Sequence, residues 1–189
     1  MKTYICEICG EAFLGEGKPT DCPFCGARAA FIKEGNEANP IVNRNIAVGE
    51  KSKANLIAAL NLEKAATAIY QCMSDKADTY EIKTMYKRLS RVEAEHVSSI
   101  TKLLKIEKPA IDEQDCSETD LENFERTLKL EENATDLYMK FAQEADEPEI
   151  RIFFAALSQA EANHVKLIKN YLNYESAGTT SHNLGTGAV

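Results

Sequence analysis

Residues 91–97 read RVEAEHV and residues 159–165 read QAEANHV. Each heptapeptide sets a glutamate three positions ahead of a histidine, Glu93 with His96 and Glu161 with His164, in a chain that has three histidines in all. The echo extends upstream, where LEKAATAIY at 62–70 matches LEENATDLY at 130–138. Glu63 and Glu131, Tyr70 and Tyr138, Glu93 and Glu161, and His96 and His164 all stand 68 positions apart, so one helix pair is present twice.

Apolar residues step by three and four through both copies and predict four long helices. The first carries Leu56, Leu60, Glu63, Thr67 and Tyr70, and the second Ile82, Tyr86, Leu89, Glu93, His96, Ile100 and Leu103. The third carries Phe124, Leu128, Glu131, Thr135 and Tyr138, and the fourth Ile150, Phe154, Leu157, Glu161, His164, Ile168 and Tyr171. The glutamates and histidines therefore fall on the buried seams. A carboxylate is costly to bury without opposite charge, and four of them with two histidines in one core call for two metal ions. One glutamate from each of two helices plus a Glu-x-x-His from each of the other two is the donor set of a carboxylate-bridged di-iron or di-manganese bundle. Tyr70 and Tyr138, two turns beyond Glu63 and Glu131, are placed to hydrogen-bond the ligand carboxylates.

Turns are expected around Ser74–Asp78 and Asp146–Pro148. Between them, eleven or so extended residues from Ile106 to Cys116 span about 36 Å, the length of a helix of about 25 residues. That stretch predicts an end-to-end crossover, followed by a capping box at Ser117 and Asp120. Cys72 reads as a small buried apolar residue and Cys116 as a free, inert thiol.

Four of the six cysteines lie in the first 25 residues, as Cys6-x-x-Cys9-Gly10 and Cys22-Pro-Phe-Cys25-Gly26. Two such turns make a tetrahedral S4 site for iron or zinc, and geometry alone does not choose between them. Tyr4, Phe13, Phe24 and Phe31 supply a small apolar cover. The expected organisation is a metal-knuckle module at 1–35, a linker at 36–49, the bundle at 50–174, and a flexible tail at 175–189 that contains His182. The fold class is thus an all-α four-helix bundle with a crossover connection, preceded by a small knuckle module. The opening residues lack the apolar core of a signal peptide and no run suits a membrane span, so the expected location is cytoplasmic. A net charge of −8 disfavours nucleic acid as a partner.

On these motifs the chain resembles the rubrerythrins over residues 1–174: a rubredoxin-like cysteine module joined to a ferritin-like di-iron bundle, in the order of the reversed rubrerythrins. The resemblance implies a peroxidase that reduces hydrogen peroxide, with a pyridine nucleotide as the electron source through a separate reductase or rubredoxin. It implies one iron on Cys6, Cys9, Cys22 and Cys25. It implies a second, dinuclear iron site on Glu63, Glu93, His96, Glu131, Glu161 and His164, with Glu93 and Glu161 bridging. It also implies homodimers in which one chain's cysteine-bound iron approaches the other chain's di-iron site. One departure is plain: peroxidases of the family carry a further glutamate one turn along the third helix, where this chain has Ala134 beside Asn133, and Glu132 faces away. A symmetric six-ligand site also suits oxygen reduction or iron oxidation, so oxygen stands beside peroxide as a substrate, and a ferritin-like ferroxidase with a structural zinc ribbon stands as the alternative. A di-iron oxygenase would need an apolar substrate pocket.

Overall fold

A computed structural model describes the backbone of residues 1–181 and the side chains of residues 1–173. Strands β1 (Lys2–Cys6), β2 (Ala12–Gly15) and β3 (Ile32–Glu34) form an antiparallel sheet in the order β2-β1-β3. Helices α1 (Glu50–Lys76), α2 (Tyr80–Leu104), α3 (Asp120–Glu144) and α4 (Pro148–Ser181) follow. The helices pair as two hairpins, α1 with α2 and α3 with α4. Helix α4 runs seven residues past Tyr174, where the sequence reading ends the bundle. The remainder of the expected tail, with His182, lies outside the described residues.

The two hairpins are stitched at one end by carboxylates. Glu147, in the turn before α4, accepts from the Gly49 amide at 2.6 Å and the Ser52 hydroxyl at 2.5 Å, and Glu144 accepts from Asn55 at 3.0 Å. Glu147 so gives the Gly49 amide at the start of α1 an acceptor and ties the first turn to the second hairpin through the Ser52 hydroxyl. Helix α3 is capped two residues later than the sequence suggests. Thr119 accepts from the Glu122 amide, and Ser117 bonds the Glu122 carboxylate, so the capping pair is Thr119 with Glu122 and not Ser117 with Asp120. Asp120 is instead the first helical residue.

Segment 36–49 is not a free linker. Ile41 and Val42 form a short 3-10 turn and are buried against α2, and the Ile41 amide donates to Glu7 at 2.7 Å. One apolar cluster consequently runs from Tyr4, Ile8 and Ile32 in the module to Val97, Ile100, Phe153 and Phe154 in the bundle. A second fills the other end of the bundle around the rings of Tyr70, Tyr86, Phe124 and Tyr171, whose successive centroids are 6.0, 5.8 and 5.3 Å apart.

The crossover after α2 is strapped to the outside of α1. Cys72 and Cys116 are joined in a disulfide, against the expectation of an inert apolar side chain and a free thiol; their Cα atoms are 5.9 Å apart. Separation in sequence hid the pairing, because the crossover reverses the chain and returns Cys116 beside α1. Lys76 binds the Cys116 carbonyl at 3.1 Å and Lys64 pairs with Asp112 at 3.6 Å. The bond closes a 44-residue loop, which in the chain-entropy account stabilises by about 4 kcal/mol. Reduction should lower the urea midpoint of the wild type and leave that of a Cys72→Ser/Cys116→Ser variant unchanged, and peptide mapping without reductant should recover the two cysteines linked.

Candidate metal centre

The repeat brings its glutamates and histidines to one place between the two apolar clusters. Glu63, Glu93, His96 and Glu161 form one group with ligand atoms within 4.8 Å of one another, and Glu93, Glu131, Glu161 and His164 form another. Glu93 and Glu161 belong to both. Glu93 Oε2 is 2.9 Å from His96 Nδ1 and Oε1 is 3.3 Å from His164 Nδ1. Glu161 mirrors this, with Oε2 at 2.9 Å from His164 and Oε1 at 3.3 Å from His96. Each therefore offers one oxygen to each half-site, as a bridging carboxylate must, while Glu63 faces His96 and Glu131 faces His164, both at 3.5 Å.

The fit to metal rests on atoms left without hydrogen bonds. Both oxygens of Glu93 and Glu161 and the Nδ1 atoms of His96 and His164 are buried and unpartnered, and they point at one another. Buried polar atoms are otherwise nearly always satisfied, and this set is the hard-oxygen and imidazole mixture that suits iron or manganese. Without a cation the site is electrostatically frustrated. Burial pushes Glu63 up to about 8 against the pull of His96, and it holds Glu131 well above the carboxylate range. Burial also opposes charge on Glu93 and Glu161, but the two imidazoles outweigh it and keep both low. Burial likewise works against charge on His96 and His164, yet the facing carboxylates raise both well above their ordinary value.

Surrounding polar groups repeat with the same offset. Tyr70 donates to Glu131 Oε1 at 2.6 Å and Tyr138 to Glu63 Oε1 at 2.5 Å, so each hairpin's tyrosine orients the other's glutamate. Thr67 and Thr135 back-bond to the carbonyls of Glu63 and Glu131 at 2.7 and 2.8 Å, and Ser90 and Ser158 donate to the carbonyls of Thr67 and Thr135, each at 2.9 Å. The two serines escape the sequence reading, although each stands three residues before a ligand glutamate in the repeat. Ala134 is half-buried beside the site, Asn133 is exposed, and Glu132 turns outward to Lys169 at 2.8 Å.

The four module cysteines converge as a separate buried group. Cys6 and Cys25 Sγ are 3.7 Å apart and Cys9 and Cys22 Sγ 3.8 Å. A tetrahedron with bonds of about 2.3 Å has edges of about 3.8 Å, so the sulfurs already hold the spacing of an S4 metal site. Gly10 and Gly26 close the two knuckles at φ of 81° and 73°, where a side chain would be strained. Gly26 has a second constraint: a Cβ there would lie 3.1 Å from the Ala160 Cβ on α4.

That approach seats the module on the bundle at the level of the ligands. His96 Nε2 lies 2.9 Å from the Cys25 carbonyl oxygen. A carbonyl only accepts, so Nε2 carries the proton and donates, which leaves Nδ1 free as a ligand atom. The contact is made within one chain, and nothing in the sequence points to it.

With this geometry in place, residues 54–174 match the model of the ferritin-like domain, more than half of the chain. The chain therefore belongs to the ferritin-like family. It is also similar to reverse rubrerythrin-1 of Clostridium acetobutylicum, 30% identical over 113 residues that cover 55% of this chain and 62% of that protein. Together with the four-cysteine cluster, this supports a rubrerythrin-type member of the family.

Two outcomes test the site. Replacing Tyr138 with Phe keeps the ring but removes the donor to Glu63, and should weaken metal binding by about 10–100-fold, read by competition with a chelator. Metal uptake must also displace protons from Glu63, Glu131 and both imidazoles, whose values are all raised. Affinity should therefore rise as pH is increased toward 8, by about tenfold per pH unit for each proton released, with the protons counted by an indicator dye.

Proposed function

We propose that the protein is a non-haem iron oxidoreductase that reduces hydrogen peroxide to water, with oxygen as a second acceptor, and that electrons enter at the cysteine module. The observation that carries this reading is the His96 bridge: Nδ1 faces the carboxylate cluster while Nε2 bonds the Cys25 carbonyl. A zinc ribbon that merely recruits partners has no need to be seated on a ligand histidine, which favours a redox role for the module over the ferroxidase alternative.

When bound, the metals would supply the electrons, one site collecting them singly and the paired site delivering two. The protein's own residues do the rest. Cys6, Cys9, Cys22 and Cys25 would hold the single iron, and Glu63, Glu93, His96, Glu131, Glu161 and His164 the pair. Burial of all six keeps them largely out of solvent. Tyr70 and Tyr138 fix the terminal carboxylates. The electron donor would be a pyridine-nucleotide-dependent reductase or a rubredoxin, in the cytoplasm, with the protein as a homodimer. Among the described residues no helix is long and apolar enough to cross a membrane.

The bridge can be tested without touching a ligand. Replacing Ala160 with Leu places bulk where Gly26 approaches α4 and should lift Cys25 from His96. In anaerobically reduced protein mixed with peroxide, reoxidation of the cysteine-bound iron, followed at its visible band, should slow by about tenfold or more. The paired site should still react. An unchanged rate in the variant, or zinc alone at the knuckles of the purified protein, would remove the electron route.

A further inference from the structure

Helices α1 and α3 touch little compared with the helices inside each hairpin, and the seam between them opens toward the carboxylates. Leu62, Ala66, Leu130 and Ala134 line it, two pairs related by the 68-residue repeat and all half-buried. Behind them is a cavity of about 60 Å³ whose floor includes Glu63, Glu93, Glu131 and Glu161. Neither histidine lines this cavity, and His96 has its outer nitrogen on the Cys25 carbonyl.

Three features define what can use such an opening. Its volume is about that of two water molecules at roughly 30 Å³ each, which accommodates a molecule of two heavy atoms. Its collar is mostly apolar, Leu62, Ala66, Leu130 and Ala134 with Ala65 and Ile69, and carries one uncharged polar residue, Asn133, and this lining over a floor of four carboxylates favours neutral species over anions. Its floor is the side of the cluster that the module leaves uncovered.

We infer that the α1–α3 cavity is the substrate port, and that Ala66 and Ala134 set its bore so that hydrogen peroxide and dioxygen pass while organic hydroperoxides do not. The inference rests on the oxidoreductase reading above and gives it a size limit and a sidedness. Electrons arrive through the Cys25–His96 contact and the acceptor through the α1–α3 seam. The reaction served balances as H2O2 with two protons and two electrons giving two waters, the O–O bond breaking. The electrons come from the reduced metal sites, which the reductase recharges.

The test separates the port from the reaction. Nitric oxide, neutral and of two heavy atoms, reports access to ferrous iron by its absorbance without turnover. In iron-loaded, anaerobically reduced full-length protein, Ala66→Leu/Ala134→Leu should slow nitric oxide association on the order of tenfold at unchanged iron content. Ala66→Gly/Ala134→Gly should quicken oxidation by tert-butyl hydroperoxide by about tenfold, and alter that by hydrogen peroxide less than about threefold. If the leucine pair lowers iron content, Ala134→Val is read in the same way. Wild-type association rates in the leucine or valine variant, or no gain with the bulky peroxide in the glycine variant, would overturn the port. If nitric oxide is gated as expected but hydrogen peroxide fails to oxidise the wild type, the port stands and the peroxide-reducing function falls.

Discussion

Four carboxylates and two imidazoles buried together in a helical core are the constraint on which this molecule depends. In a dry interior such groups repel or go unsatisfied unless cations join them. Here the frustration is concentrated on the atoms that would ligate: Glu93, Glu161 and the two Nδ1 atoms lack hydrogen bonds, whereas Glu63 and Glu131 each keep a tyrosine. The rest of the bundle is arranged to hold that cluster still. Apolar clusters close it above and below, the Thr and Ser back-bonds tie α1 to α2 and α3 to α4 at its height, and Glu144 and Glu147 clamp the hairpins at one end.

The module is bound into this arrangement as a part of the core. Ile41 and Val42 join its apolar cover to α2, Gly26 lets it approach α4, and Cys25 meets His96. The histidines are equivalent in sequence but not in surroundings. His96 is fully enclosed with its outer nitrogen bonded to the module, whereas His164 retains some exposure. A duplicated bundle, symmetric in its candidate ligands, is thereby made asymmetric in its surroundings, with one half-site next to the cysteine turn.

Much of this geometry was legible beforehand, because the 68-residue offset repeats the buried glutamates and histidines, the tyrosines and the seam residues together. Helical periodicity then puts Glu63, Glu93, Glu131 and Glu161 inside, and two CxxC turns need no tertiary information to be read as one S4 site. The misreadings are of another kind. Cys72 and Cys116 read as separate, inert residues because the crossover that joins them has no periodic pattern. Segment 36–49 reads as linker from its glycines, asparagines and proline, although Ile41 and Val42 within it are core. The cap of α3 fell to Thr119 because the helix begins at Asp120, one residue after the hydroxyl that Glu122 can reach.

What the sequence determined by itself was the set of donors, the helices that carry them and their two-fold relation, since each follows from spacing along a helix or within a knuckle. What only the tertiary structure decided was the set of contacts between elements that share no local pattern: the Cys25–His96 bridge, the Cys72–Cys116 strap and the opening between α1 and α3. These depend on how the crossover turns and on where a glycine lets two backbones meet. Such positions are set by packing over the whole chain, and a residue's neighbours in sequence carry no record of them.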